Sequence, residues 1–159
     1  MPGAKRWQKL RPGRFSVTSD VAMLDGGGVG LGVVVRDNNG TFVLAAAKRM
    51  QGEYSVDMAE AMAAEMGMQL LPSIPSGTLI LESDSLAVIS KVQHPARDLT
   101  KVGVVCRSIW RKLQQGNGSC RHIPREATGA AHIMARALTN WGERIVWLDR
   151  PPVCLIDQL

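Results

Sequence analysis

Hydrophobic and polar positions alternate with period two from Phe15, with Phe15, Val17 and Ser19 on one side and Ser16, Thr18 and Asp20 on the other, which predicts a strand. Val33-Val34-Val35-Arg36 is β-branched and extended, and Asp37-Asn38-Asn39-Gly40 is a hairpin signal, so Thr41 to Ala47 reads as the returning strand. The period then changes. Behind Ser55, a residue suited to cap a helix, Ala59, Met62, Ala63, Met66 and Leu70 form one apolar stripe at helical spacing, ended by Pro72 and Pro75. Thr78-Leu79-Ile80-Leu81 restores a strand and runs straight into Glu82-Ser83-Asp84-Ser85. Further elements follow: a short helix at 85–93, a helix at 99–114, a turn at Gly116-Asn117-Gly118, a short strand at 119–123 and a helix at 127–139.

A strand, crossover helix, strand order makes the strand at 78–83 parallel to one already in the sheet, whereas the first three strands form an antiparallel meander. The expected class is therefore α/β, with a mixed five-stranded sheet flanked by helices. Three segments are expected: a basic arm at 1–13, a body at 14–145 and a C-terminal tail at 146–159. The arm carries Lys5, Arg6, Lys9 and Arg11 without a hydrophobic period, and phosphate neutralisation and a solvated linker remnant fit it equally.

Composition narrows this picture. At 159 residues the chain suits one domain. No apolar run approaches the roughly 20 residues of a membrane span, so no membrane partner is expected. Three widely spaced cysteines, Cys106, Cys120 and Cys154, have no metal-ligand spacing and read as reduced thiols, which points to an intracellular, reducing compartment. A net charge of +5 favours polyanionic partners. The run Asp25-Gly26-Gly27-Gly28-Val29-Gly30-Leu31-Gly32 is glycine-rich but is followed by extended residues. A phosphate loop needs a helix there, so the glycines are expected to join two strands and admit a close backbone approach.

The candidate chemistry lies in Asp20 on a central strand, Glu60 early on the crossover helix, Asp84 at the end of a parallel strand, and His132 early on the last helix. Ligands collect at the carboxyl ends of such strands. If the strands of Asp20 and Asp84 are neighbours, both acids meet at one rim. Crowded carboxylates repel unless a cation sits among them, and hard divalent ions such as Mg²⁺ or Mn²⁺ suit oxygen ligands. The matching reaction is phosphodiester hydrolysis by two metals roughly 4 Å apart.

In combination and order, several motifs resemble one family: the Asp20 strand, Val33 to Gly40, Ala59-Glu60-Ala61, Leu81-Glu82-Ser83-Asp84-Ser85, Pro124-Arg125-Glu126-Ala127 with Ala131-His132, and the closing Trp147 to Pro152. The sequence is similar, over nearly its whole length, to the ribonuclease H-like domain of plant proteins related to the reverse-transcriptase-associated ribonuclease H of type 1. The resemblance implies a ribonuclease H-like fold and Mg²⁺-dependent endonucleolytic cleavage of the RNA strand of RNA–DNA hybrids. Carried over by position, Asp20, Glu60 and Asp84 would be the metal ligands, and His132 would fall where many relatives have a fourth acid. Thr18 and Thr128 stand where the pattern usually has asparagine. The alternative is a non-cleaving nucleic-acid-binding domain of the same fold. A proofreading-type exonuclease fits less well, because Ala22 and Ala137 occupy positions where it would carry acids.

Overall fold

The computed structural model describes residues 10–95 and 98–159, so most of the expected basic arm, residues 1–9, lies outside the described residues. Strands β1 (Arg14–Met23), β2 (Val29–Arg36) and β3 (Phe42–Met50) precede helix α1 (Val56–Gln69) and strand β4 (Thr78–Ser83). Helices α2 (Leu86–Gln93) and α3 (Lys101–Gln115) come next, then β5 (Ser119–His122), α4 (Gly129–Ala135) and β6 (Arg144–Leu148). The sheet runs β5-β4-β1-β2-β3-β6. β1 pairs antiparallel with β2, and β3 with both β2 and β6, while β4 is parallel to β1 and β5.

Local chemistry accounts for these elements. Asp37 Oδ1 accepts from the amides of Asn39 at 2.8 Å and Thr41 at 2.9 Å, and Gly40 turns at φ +82°, which closes the hairpin between β2 and β3. Ser55 Oγ caps α1 through Met58 N at 3.1 Å, and Thr100 Oγ1 caps α3 through Gly103 N at 3.1 Å. Side chains then divide between two faces. Val17, Val33, Leu44 and Leu81 pack under α1 and α3, whereas Val34, Ala45 and Ala47 pack under α4 with Met134, Leu138 and Leu155. Helix α4 sits unusually close to β2, because a Cβ at Gly30 or Gly32 would collide with the carbonyl oxygens of Ala135 and Ala131. The glycine run is thus a strand connection and a seat for a helix.

Two expectations need correction. Among the described residues the sheet has six strands rather than five, since Arg144–Leu148 pairs with β3. Ile145 and Trp147 turn their side chains onto the α4 side, where they pack as partly buried residues. The last helix is also shorter than 127–139: Arg125–Thr128 tightens into a 3₁₀ turn, and the α-helix proper spans Gly129–Ala135. That tighter turn lets the Thr128 hydroxyl donate to the Arg125 carbonyl at 2.8 Å. The polar face of β1 that carries Ser16, Thr18 and Asp20 is buried. Among the described residues, no helix is long and apolar enough to cross a membrane.

Candidate metal centre

Topology brings the candidate acids together. Parallel pairing of β1 with β4 runs from Arg14↔Thr78 to Thr18↔Glu82, so Asp20 and Asp84 each lie two residues beyond the last pair, at one rim. Glu60, on the second turn of α1, reaches the same rim from the helix that covers this end of the sheet. One carboxylate oxygen from each of Asp20, Glu60 and Asp84 lies within 4.8 Å of the other two, with Asp20 and Glu60 buried and Asp84 half-buried.

Each acid is held differently. Asp20 Oδ1 accepts from Val21 N at 2.9 Å, and its Oδ2 faces Thr128 Oγ1 and His132 Nδ1, both at 3.2 Å. Burial pushes the Asp20 pKa up and repulsion from Asp84 adds to this, against the Val21 amide, His132 and the Thr128 hydroxyl, which favour the ionised form. Glu60 is pushed from 4.5 up to about 8, first by burial and then by the charges of Asp20, Asp84 and Asp57. Its Oε2 is buried without a hydrogen-bond partner among the described residues. A buried carboxylate oxygen without a partner is costly, and a cation seated among the three acids would relieve both that cost and their repulsion. The donor set is all oxygen, as a hard divalent ion requires. These residues therefore fit a divalent metal.

The four residues expected from the sequence are all at this rim, but His132 stands apart from the other three. It addresses Asp20 through Nδ1 and leaves its side chain 42% exposed to the cleft. That cleft, about 670 Å³, is walled by Val56 and Leu86 on the helix N-termini and by Arg125 and Arg136 flanking α4. The sequence motifs include Arg125 without giving it a role, and they show neither Arg136 nor the contact of Thr128 with Asp20. Arg125 and Arg136 straddle His132 in sequence, so a reading of α4 by its polar side had a signal to find them.

Comparison with known proteins places this architecture. Among curated proteins no relative matches the sequence. Among solved structures, the chain is similar to RNase H1 from the halophilic archaeon Halobacterium salinarum, at TM-score 0.64 and 21% identity over 79% of this chain and 94% of that one. It is similar to LC11-RNase H1, isolated from compost and solved in complex with an RNA/DNA hybrid, at TM-score 0.64 and 18% identity over 79% of this chain and 99% of that one. It is also similar to the N-terminal RNase H domain of a Mycobacterium tuberculosis protein, at TM-score 0.61 and 16% identity over 78% and 91% of the two chains. The fold is accordingly that of the ribonucleases H. The family model described as reverse transcriptase-like matches residues 18–138, from the strand of Asp20 to the end of the segment that carries His132, and the chain belongs to that family.

Proposed function

We propose that this protein is a divalent-metal-dependent endonuclease that hydrolyses the RNA strand of RNA–DNA hybrids, with Asp20, Glu60 and Asp84 holding Mg²⁺ or Mn²⁺. The observation that carries this reading is the convergence of three carboxylates within 4.8 Å, one of them with a buried oxygen that has no partner among the described residues. Held by Asp20, Glu60 and Asp84, divalent cations would supply Lewis-acid activation for hydrolysis of the phosphodiester. The protein's own part is position and charge. Asp20 and Asp84 sit at the end of a parallel strand pair and Glu60 on a packed helix, so the ligands are held by rigid elements. His132, oriented by Asp20 through Nδ1, keeps a second ring nitrogen on the cleft side, from which it can give a proton to the departing ribose oxygen. Arg125 and Arg136 line the same cleft and can receive the phosphates on either side of the scissile bond. Similarity in fold to an RNase H1 that was solved with an RNA/DNA hybrid supports the choice of substrate.

The test is direct. The purified protein is incubated with end-labelled RNA–DNA hybrid, duplex RNA and single strands, with Mg²⁺ and with chelator. Internal cleavage of the hybrid's RNA strand is expected only with metal. Asp84→Asn, which removes a ligand charge but keeps the volume, should abolish cleavage with little change in melting temperature. Hybrid binding without cleavage in any metal would replace the nuclease reading with that of a binding domain.

A further inference from the structure

Directly beneath the rim lies a charged group that the chemistry above does not use. Glu82, with a side chain 0% exposed, sits on β4 two residues before Asp84. Its Oε1 accepts from Thr18 Oγ1 at 2.9 Å, and Thr18 lies on β1 two residues before Asp20. Its Oε2 accepts from Arg121 Nε of β5 at 2.7 Å and also pairs with Arg121 Nη2. One carboxylate thus ties three adjacent strands together. The tie falls at a particular place: Thr18↔Glu82 is the last paired position of β1 and β4, beyond which Asp20 follows β2 and Asp84 leads into α2.

Stability alone is a poor explanation for burying such a group. Desolvation cancels most of the attraction in a buried ion pair, and apolar side chains of similar volume usually stabilise as well or better. What a fully bonded carboxylate supplies, and a methyl group does not, is direction: its two oxygens fix both neighbouring strands at once. We propose that Glu82 is a positioning residue which, clamped between Thr18 and Arg121, sets the separation of Asp20 and Asp84 and thereby the affinity of the carboxylate trio for a divalent cation. This rests on the reading of the trio as a metal site.

The experiment compares the wild type with Glu82→Met/Arg121→Met, which removes the pair together, and with Glu82→Gln; Arg36, itself buried and favoured by the charge of Glu82, loses that charge in both variants, so the second controls for it in the first. The glutamine can accept from Arg121 and donate to Thr18, so it preserves the tie. Mn²⁺ affinity is measured by calorimetry, beside the melting temperature. Both variants are expected to melt below the wild type, because Arg36 loses the charge of Glu82, but only the double variant is expected to bind Mn²⁺ about tenfold more weakly, in the range seen when groups that orient metal ligands are lost, while Glu82→Gln stays within about threefold of the wild type. A folded double variant with wild-type Mn²⁺ affinity overturns the proposal. If the double variant does not fold, Thr18→Val decides, since it removes one arm of the tie and leaves the ion pair: weaker Mn²⁺ binding supports the proposal and unchanged binding refutes it. Should the wild type itself bind no Mn²⁺, the nuclease reading fails separately, and crystal structures of the wild type and the double variant settle the matter. There, an unchanged Asp20 to Asp84 separation would refute the positioning role and an altered one would support it. Mn²⁺ binding without hybrid cleavage would leave the role of Glu82 intact and remove only the proposed activity.

Discussion

Replacing Glu60 with glutamine should make the metal-free protein less sensitive to pH, and the size of the effect follows from the environment of that carboxyl. Burial and the charges of Asp20, Asp84 and Asp57 raise its pKa from 4.5 to about 8 in the folded state. Between those values the native state holds a proton that the unfolded chain has released, so stability falls as pH rises and levels off above the folded pKa. At about 1.4 kcal/mol per pH unit, the loss between pH 5 and pH 7 is about 2.5 kcal/mol, or about 5–10 °C in melting temperature for a chain of this size. Asp98, whose carboxyl is lowered by the Lys91 and Thr100 hydrogen bonds, acts in the opposite sense and below this window. Asp20, also raised, leaves a slope of the same sign. Glutamine keeps the volume and carries no charge. In chelator, the wild type should therefore melt well below its pH 5 value at pH 7, and Glu60→Gln should lose most of that difference. Because the ligating form is ionised, Mn²⁺ binding at pH 7 should also release about one proton more from the wild type than from the variant, read by calorimetry in buffers of different ionisation enthalpy. A variant that keeps the full wild-type slope would show that Glu60 is not the group holding the proton.

Other predictions follow from the same geometry. His132→Ala should slow hybrid turnover by about 10²-fold or more while leaving hybrid affinity within about twofold, because the imidazole faces Asp20 and the cleft and is not needed for phosphate contact; loss of affinity with unchanged turnover would contradict this. Arg125→Gln/Arg136→Gln should weaken hybrid binding and reduce the slope of log affinity against log salt by about one to two, whereas Arg111→Gln on the exposed side of α3 should change it less. Equal slopes for both variants would remove the arginines from the binding surface. Gly32→Ala should cost about 3 kcal/mol or more in urea unfolding, since its Cβ would meet the α4 backbone, which cannot move aside as a flexible side chain could.

Much of the fold was legible because its patterns were local. The capping hydroxyl of Ser55, the Asp37 turn and the apolar stripe of α1 each act within a few residues, and the crossover rule then fixed which strands run parallel. The acids followed from topology, since two strands that run parallel as neighbours deliver their ends to one rim. The sixth strand was hidden because Ile145-Val146-Trp147-Leu148 is apolar throughout. Its alternation appears only in burial, where Ile145 and Trp147 are partly covered and Val146 and Leu148 are exposed. Periodicity cannot show a face that composition does not mark.

In the sequence Glu82 lies within Leu81-Glu82-Ser83-Asp84-Ser85, where nothing marks its importance. A charged residue in an apolar strand is ambiguous until its cross-strand neighbours are known, and those neighbours, Thr18 and Arg121, lie 64 and 39 residues away. Thr18 shares the polar face of β1 with Asp20, and its role depends on register: one residue of slip between β1 and β4 would turn its hydroxyl to the opposite face, under α1. The same slip would carry Asp20 away from Asp84. The register that buries Val17 and Leu81 together in one core is therefore the register that bonds Thr18 to Glu82 and aligns the two acids, so packing, the buried charge and the candidate metal site all select a single pairing of the two strands.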